Sequence, residues 1–253
     1  MEIEFGLLLF GLFIVAILYS SVGHGGASGY LAIMSLTSYG MMESSWLKQH
    51  AWFLNLLVAA LAFYHYRKEG FHNIKLTIPF VIASIPMAFL GGYLLIDGVV
   101  YDLLLSITLL WAAWRLFGSM SIDEIEKTVL PTTPQAIPWG AGIGLASGII
   151  GVGGGIFLSP IILLKKWATP KTVAATSAVF IWVNSMAGLA GASVSGQLNL
   201  DLNILIYFAL VVIVGGIIGS YYGAKIAPES KIRKLLICVL LIAAIKRIVE
   251  LLI

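Results

Sequence analysis

Two short glycine clusters are the residues of this chain best suited to bind a ligand, although neither carries a fixed charge. The first is Gly23-His24-Gly25-Gly26, and the second, at 151–155, reads Gly-Val-Gly-Gly-Gly. Helix-like apolar sequence flanks both clusters, and dense glycine propagates a helix poorly, so both helices should break there. Each restarting half-helix, near 26–28 and 154–156, presents unpaired N–H groups and a partial positive charge. Such helix ends bind anions, and successive glycine N–H groups can form a concave anion-binding site beside them.

A few polar side chains could complete a site at these turns. Asn55 and Asn184 fall in the middle of equivalent apolar segments and can each donate two hydrogen bonds, or they could satisfy the broken backbone of a neighbouring hairpin. Thr176 and Ser177 precede Asn184 by about two turns, with bonding to their own helix as the alternative. Ser28 flanks the first turn. The expected substrate-binding residues are Gly23, His24, Gly25, Gly26, Ser28, Asn55, Gly151, Gly153, Gly154, Gly155, Thr176, Ser177 and Asn184.

Two histidines are candidates for carrying a coupled proton. His24 stands where the second cluster has Val152, so it breaks the similarity between the clusters. An unperturbed imidazole titrates near pH ~6.5, so His24 could donate to an anion or carry a proton, unless it is a neutral ring bonded inside the turn. His50, which precedes Asn55 by five residues, is the second candidate.

The composition is that of a polytopic membrane protein. The chain has 253 residues, of which 60% are hydrophobic and 11% charged, whereas soluble domains are about 25% charged. Apolar segments occupy 5–20, 27–38, 46–66, 74–96, 98–118, 138–150, 156–166, 170–193, 201–224 and 231–252. Several are long enough to cross a ~30 Å hydrocarbon core. The predicted fold is therefore all-α, and Pro160 is expected near the first turn of its half-helix, where a missing N–H costs least.

The two halves of the chain repeat. A shift of 128 residues places Gly23, Gly25 and Gly26 on Gly151, Gly153 and Gly154, and Gly91 on Gly219. Asn55 pairs with Asn184 within two residues of that shift, as Gly70 does with Gly196. The predicted organisation is a first repeat at 1–118, a polar cytoplasmic linker at 119–135 and a second repeat at 136–253. Repeats with interrupted hydrophobic segments at matching positions are typical of secondary transporters.

The distribution of positive charges along the chain discriminates between two membrane topologies. Each interrupted pair of segments is either one kinked span or a hairpin that enters and leaves on one side. If both pairs are kinked spans, the 15 Lys and Arg residues fall seven on one side of the membrane and eight on the other. If both pairs are hairpins, twelve fall on one side and three on the other. Membrane proteins concentrate Lys and Arg in cytoplasmic loops. The sequence therefore favours two inverted repeats, each with a re-entrant glycine-rich hairpin and three transmembrane helices, and both termini outside a cell (inner) membrane.

The motifs resemble a known family. Residues 151–160, Gly-Val-Gly-Gly-Gly-Ile-Phe-Leu-Ser-Pro, with 174–177, Asn184 and Gly196, resemble the second half of the sulfite exporter TauE/SafE family, also called TSUP. Residues 20–29 resemble its first repeat, although Ala32 aligns with Pro160. The resemblance implies a membrane permease for sulfur-containing anions such as sulfite, sulfoacetate or other organosulfonates. It implies the glycines of both clusters as binding elements.

The same residues support other functions less well than anion transport. A cation transporter normally keeps an acidic residue at the bilayer midplane, and none is evident, so an anion is favoured. An anion channel could use the same site. A rhomboid-like protease could use Ser28 in Gly26-Ala27-Ser28-Gly29 with a histidine base, but Ile156 replaces that serine in the second cluster. We expect no enzyme activity, no cofactor, no metal and no nucleic acid; the partners are the anion, the bilayer and a coupled proton, and the oligomeric state is left open.

Overall fold

The fold is a bundle of helices. A computed structural model of the chain describes residues 2–94, 128–228, 230–231 and 234–235. Within them lie helices and connecting segments but no strand. The helices are α1 (Glu2–Ser20), α2 (Ala27–Ser35), α3 (Ser44–Lys68), α4 (Ile74–Tyr93), α5 (Thr133–Ile150), α6 (Gly155–Leu164), α7 (Pro170–Val194) and α8 (Leu202–Tyr221), with a 3-10 turn at Ser38–Met41 and a π-helical turn at Tyr222–Ile226.

These helices match the predicted apolar segments closely. The predicted segment 98–118 and most of 231–252 lie outside the described residues. Helices α1, α4, α7 and α8 are long and apolar enough to cross a membrane. Their exposed faces carry large apolar side chains at helical spacing, as a lipid-facing surface does, among them Ile3, Leu7, Phe10, Ile78, Ile82, Ile85, Ile206, Leu210 and Val214. The prediction of an all-α polytopic membrane protein is confirmed.

Side-chain caps fix several helix starts. Asn73 Oδ1 accepts the Lys75 N–H at 3.0 Å at the start of α4, and Asp201 Oδ1 accepts the Asn203 N–H at 3.0 Å at the start of α8. These two N-caps stand at equivalent positions of the predicted repeat. A capping box of Thr132 and Gln135 starts α5. Helix α5 therefore includes 133–135, the last three residues of the segment predicted as a linker.

The first interrupted pair, α1 and α2, forms an antiparallel hairpin. A Cβ added to Gly29 would lie 2.5 Å from Val15 Cγ1, and one added to Gly11 would lie 2.9 Å from Ile33 Cγ2. Further along, the Ser38 N–H donates to Glu4 Oε1 at 2.7 Å. Later residues of α2 therefore meet earlier residues of α1. The open end of this hairpin, near Glu4 and Ser38, is called the first end of the bundle below.

The second interrupted pair, α5 and α6, folds back in the same way. Near the turn, a Cβ on Gly154 would lie 3.0 Å from Ile143 Cγ2. About two turns further along α6, Ile161 lines a surface cavity with Pro138 of α5. At the open end the Val129 N–H donates to the Lys166 carbonyl at 3.1 Å. That open end is called the second end.

Contacts between loops show that the two hairpins enter from opposite ends. At the second end, Lys171 Nζ donates to the Ala224 carbonyl at 3.0 Å and lies 4.8 Å from the centroid of the Phe71 ring. Residues 69–73, 165–171 and 224–228 therefore share that end. At the first end, Gln49 Nε2 donates to the Gln197 carbonyl at 2.6 Å. A single kinked span for each pair would put Lys171 and Phe71 at opposite ends, so the structure contradicts that alternative.

Glycines bring the helices into close contact. Three glycines spaced four apart on α5 face backbone carbonyls of α4, namely Gly140, Gly144 and Gly148 against Phe80, Ser84 and Ala88. A matching series from α8 and its π-helical turn faces α1, namely Gly215, Gly219 and Gly223 against Phe13, Ile17 and Ser21. Small residues allow membrane helices to approach this closely. The two outer pairs, α4–α5 and α1–α8, thus join one predicted half to the other.

Matched backbone conformations fit the internal repeat. Gly26 and Gly154 both precede a half-helix with positive φ, 102° and 84°. Gly70 and Gly196 follow α3 and α7, with φ of 81° and 73°. The inverted repeat itself stays a prediction, because the third span assigned to each half falls at 98–118 and 231–252. One detail differs from the prediction: Pro160 is the sixth residue of α6, in its second turn, because the helix already restarts at Gly155.

Candidate functional site at the two glycine turns

The first turn ends α1 and aims α2 at a side chain of α3. The His24 N–H donates to the Tyr19 carbonyl at 2.8 Å and the Gly23 N–H to the Ser20 carbonyl at 3.0 Å, with Gly23 at φ 76°. This left-handed helix ending needs glycine, since a Cβ is strained there. Helix α2 then restarts, and its first N–H, from Ala27, donates to Asn55 Oδ1 at 3.0 Å.

The second turn leaves more of its donors unpaired. The Gly151 N–H donates to the Ser147 carbonyl at 2.9 Å and closes α5. Within the described residues, the N–H groups of the next five positions, 152–156, have no acceptor. All five residues are buried. Five adjacent buried donors at a helix N-terminus form a site that favours an anion.

The tips of the two hairpins meet. Asn55 lies between them: its Oδ1 holds Ala27 of the first, and a Cβ on Gly153 of the second would fall 2.7 Å from its Nδ2. Asn55 Nδ2 also donates to Ser185 Oγ of α7 at 3.3 Å. A Cβ on Gly155 would lie 3.3 Å from Cδ2 of His24. The glycine segments are thus broken, buried and adjacent, as the sequence predicted.

A hydrogen-bond chain links the tips to α7. His24 Nδ1 lies 3.0 Å from the Val22 carbonyl, which requires a proton on Nδ1. In the neutral ring Nε2 is then an acceptor, and it lies 3.4 Å from Ser159 Oγ. Ser159 Oγ is 2.7 Å from Ser177 Oγ. Ser159 therefore connects His24 to Ser177 by hydrogen bonds, and both of these residues are sequence candidates.

Asn184 differs from its repeat partner Asn55. Both side chains are fully buried, with 0% exposure. Asn55 is bonded through both amide atoms, whereas neither Nδ2 nor Oδ1 of Asn184 has a partner among the described residues. An unpaired buried amide costs free energy comparable to a lost hydrogen bond. Such a group marks a place where a polar ligand would restore the lost bonds.

Two other sequence candidates, Ser28 and Thr176, are engaged elsewhere. Ser28 Oγ donates to the Tyr19 hydroxyl at 3.0 Å rather than to a histidine, so it lacks the base that a serine protease needs. Thr176 accepts from Thr77 Oγ1 at 3.3 Å, on the α4 side of α7. Within the described residues, no three His, Cys, Asp or Glu side chains come together as metal ligands.

His50 is occupied by two backbone groups. Its Nδ1 lies 2.8 Å from the Trp46 carbonyl, and its Nε2 accepts the Asp201 N–H at 3.1 Å. Its ring also stacks on Trp46, with centroids 3.7 Å apart. Because both nitrogens are used in the neutral form, the arrangement ties the start of α3 to the start of α8.

Sequence reasoning missed several polar groups at the turns. Ser159 stands four residues after Gly155 and so on the same helix face, which was the available signal. Ser185 follows Asn184 directly. The hydroxyls of Tyr30 and Ser147 are buried without partners among the described residues. A Cβ on Gly26 would lie 2.7 Å from the Tyr30 hydroxyl, and one on Gly154 would lie 3.3 Å from Ser147 Cβ.

Helical spans, two opposed hairpins and a buried polar centre define a class of protein, the α-helical membrane transporters built on interrupted helices. The chain belongs to the sulfite exporter TauE/SafE family, whose profile matches residues 6–247. It is 35% identical over 237 residues to the probable membrane transporter protein y4hK of Sinorhizobium fredii, covering 92% of this chain and 94% of that protein.

Two further relatives are more distant. The probable membrane transporter protein MJ0441 of Methanocaldococcus jannaschii is 28% identical over 248 residues, which cover 90% of this chain and 91% of that protein. The probable membrane transporter protein YunE of Bacillus subtilis is 25% identical over 193 residues, 67% of this chain and 66% of that protein. No solved structure matches the chain. The chain is accordingly a membrane transport protein and not an enzyme.

Proposed function

We propose that this protein is a secondary transporter for a small anion, which it binds between the two glycine turns. The sulfur oxyanions and organosulfonates, such as sulfite and sulfoacetate, are the proposed substrate class, since the family description names sulfite. The proposed binding groups are the N–H groups of 152–156, the Asn184 amide and the glycines of both turns. Ser28 and Thr176 are left out because each is bonded elsewhere.

The observation that carries this proposal is the excess of unpaired donors at the second turn. Backbone N–H groups are donors only, and five consecutive ones at this turn have no acceptor among the described residues. A ligand that satisfies such a set must be rich in acceptors, as an oxyanion is. Burying a negative charge costs free energy, and the partial positive charge at the helix N-termini offsets this cost without a charged side chain.

The packing of the turns supports a carrier. The hairpins enter from opposite ends and touch each other, and the residues at 20–30 are buried, as are those at 150–163. A Cβ on Gly153 would lie 2.7 Å from Asn55 Nδ2 and 2.8 Å from Ile181 Cγ2. A substrate therefore enters only when the hairpins separate on one side. Rocking of two opposed repeats about such a site is alternating access.

The proposed membrane setting follows the charge distribution. We place the protein in the cell (inner) membrane, with the second end of the bundle and the 119–135 linker in the cytoplasm and both termini outside. Among the described Lys and Arg residues, those of the second end are Arg67, Lys68, Lys75, Lys165, Lys166, Lys171 and Lys225. Their concentration at one end follows the positive-inside rule. The proposed halves, 1–118 and 136–253, are inverted copies.

Counterflow in proteoliposomes tests this function. Vesicles loaded with unlabelled sulfite should accumulate radiolabelled sulfite transiently from outside, without ATP, because a carrier exchanges its substrate. A channel would only dissipate the gradient, and this outcome would replace the carrier with the channel alternative. Sulfoacetate, thiosulfate and acetate would be compared as competitors. The absence of flux above empty vesicles for every sulfur anion would refute the proposal.

Two substitutions test the proposed site in the same assay. Asn184→Leu should lower flux at least tenfold because it removes the unpaired amide. Thr176→Val is the matched control on the same helix and should keep flux within about twofold. Equal loss in both variants would refute the assignment of Asn184.

His24 is the proposed proton carrier, since its Nε2 faces the hydroxyl chain of Ser159 and Ser177, whereas both nitrogens of His50 are bonded to backbone groups. His24→Gln should make the flux independent of an imposed pH gradient while counterflow of sulfite persists. If the variant responds to the gradient as the wild type does, His24 has no part in coupling. Ser159→Ala breaks the hydrogen-bond chain that links His24 through Ser159 of α6 to Ser177 of α7, and it serves as the accompanying variant.

A further inference from the structure

One stripe of α3 passes along the second glycine turn and carries a lysine. Lys48, Trp52 and Asn55 are spaced i, i+4 and i+7, so they share a helix face. A Cβ on Gly151 would lie 2.5 Å from Lys48 Cβ, and one on Gly153 would lie 2.7 Å from Asn55 Nδ2. The face therefore lines the turn from Gly151 to Gly153, with Lys48 on the side of the first end.

Lys48 is buried, with 5% exposure, and lacks a carboxylate partner among the described residues. Its Nζ lies 5.6 Å from the centroid of the Trp52 ring. Nearby carboxylates are used otherwise: Asp201 caps α8, and Glu43 Oε2 accepts from Ser45 Oγ at 3.1 Å. Lysine side chains are rarely buried to this extent without a carboxylate, and an anion bound at the turn would supply the missing counter-charge.

Two further donors without partners among the described residues lie where this face of α3 meets α7. The Trp52 indole is fully buried and its Nε1–H is unpaired among the described residues. The indole edge packs on α7, since a Cβ on Gly188 would lie 2.9 Å from Trp52 Cε2. Asn184, with its unpaired amide, precedes Gly188 by one turn on the same face of α7. Lysine and the indole are donors only.

We propose that Lys48, the Trp52 indole and the Asn184 amide form a subsite that receives the charged oxygens of a small oxyanion on the first-end side of the second glycine turn. This inference rests on the proposed transport function and names the charge that selects for anions. The backbone donors of 152–156 bind the substrate from one side, and Lys48 faces it from α3. A sulfonate, sulfite or carboxylate group has the acceptor geometry that these donors need.

Substitutions at Lys48 test the subsite through substrate affinity. Lys48→Met should raise the half-saturating sulfite concentration in proteoliposome flux at least tenfold, whereas Lys48→Arg, which keeps the charge, should stay within about threefold. Lys75→Met, at an exposed lysine of the second end, is the control and should leave the value unchanged. Trp52→Phe keeps an aromatic ring but removes the indole N–H, so it should raise the half-saturating concentration about threefold or more.

Thermal unfolding separates a binding role from a structural one. Sulfite should raise the midpoint of unfolding of the wild type and of Lys48→Arg, but not of Lys48→Met at the same concentration. A midpoint that is lowered in Lys48→Met and still shifts with sulfite would assign Lys48 to folding and overturn the subsite. If the wild type transports sulfite and Lys48→Met has an unchanged half-saturating concentration, this inference fails while the proposed function stands.

Anionic lipid headgroups carry the same chemistry and are distinguished by bilayer composition. The comparison of wild type with Lys48→Met would be run in purely phosphatidylcholine vesicles and in vesicles with 30% phosphatidylglycerol, roughly a bacterial proportion of anionic lipid. The subsite predicts the same tenfold effect in both. An effect confined to the vesicles with phosphatidylglycerol would show that Lys48 binds a headgroup, and would overturn the proposal.

Discussion

Replacing Asn55 and Asn184, one at a time, with leucine should move stability in opposite directions. The two side chains are equally buried and occupy equivalent positions of the repeat, so the substitution is chemically the same. Only their partners differ. Asn55 accepts from the Ala27 N–H at 3.0 Å and donates to Ser185 Oγ at 3.3 Å, whereas Asn184 has no partner among the described residues.

The magnitude follows from the bonds that each change removes. Asn55→Leu removes the acceptor of the Ala27 N–H and the donor to Ser185 Oγ, two buried hydrogen bonds worth about 1 kcal/mol each. Asn184→Leu breaks no bond with the described residues and removes a buried amide, a gain of about 1 kcal/mol. The free energies of unfolding should therefore differ by about 3 kcal/mol. For a chain of this size that corresponds to about 8 °C in midpoint.

Differential scanning fluorimetry on tryptophan emission, in detergent and without ligand, measures this difference directly. The wild type should lie between the two variants. Saturating sulfite should then stabilise the wild type and fail to stabilise Asn184→Leu. If Asn184→Leu is destabilised as much as Asn55→Leu, the Asn184 amide has a structural partner, and the reasoning that makes it a ligand group is refuted.

Two further predictions concern the fold. Gly23→Ala should abolish folding in detergent, as seen by size-exclusion chromatography, because its Cβ would overlap the Ala174 carbonyl at φ 76°. The control Gly70→Ala, at φ 81° with open space around it, should lower the free energy of unfolding by only about 1 kcal/mol. Equal behaviour of the two variants would count against close packing at the first turn. In a background without the native cysteine, Gly70→Cys and Lys165→Cys should react with a membrane-impermeant thiol reagent from one side of the membrane and Gly40→Cys from the other. Labelling of the first two from opposite sides would contradict the hairpins.

Much of the fold could be predicted because membrane helices obey a simple length and polarity rule. The predicted segment 170–193 corresponds to α7 (Pro170–Val194) and 74–96 to α4 (Ile74–Tyr93). The hairpins were predictable from the charges, since a re-entrant pair regroups every loop that follows it. The start of α5 was not, because the capping box of Thr132 and Gln135 extends the helix into a polar stretch that composition assigns to a linker.

The sequence predicted where the backbone of the site turns, but only some of the hydrogen-bond partners of its side chains. Clustered glycines reveal broken helices, and the turns lie where the sequence placed them. The partners of individual polar groups depend on helix rotation, which a sequence does not specify. Thr176 and Ser177 are neighbours, yet one bonds to α4 and the other to Ser159 of α6. Lys48 lies near the start of the predicted segment 46–66, but its burial depends on how α3 is rotated in the bundle, which composition does not give.

The short half-helices have an electrical consequence. Helices α2 and α6 have nine and ten residues, so each covers only about 15 Å along its axis. In the proposed transporter, water that reached these half-length segments from either side would confine the transmembrane voltage to a thin septum between their tips. One elementary charge crossing that septum gains or loses about 2.3 kcal/mol per 100 mV, although it travels only a few ångströms. In the proposed orientation, an inside-negative membrane voltage would therefore favour outward movement of a monovalent anion through this septum.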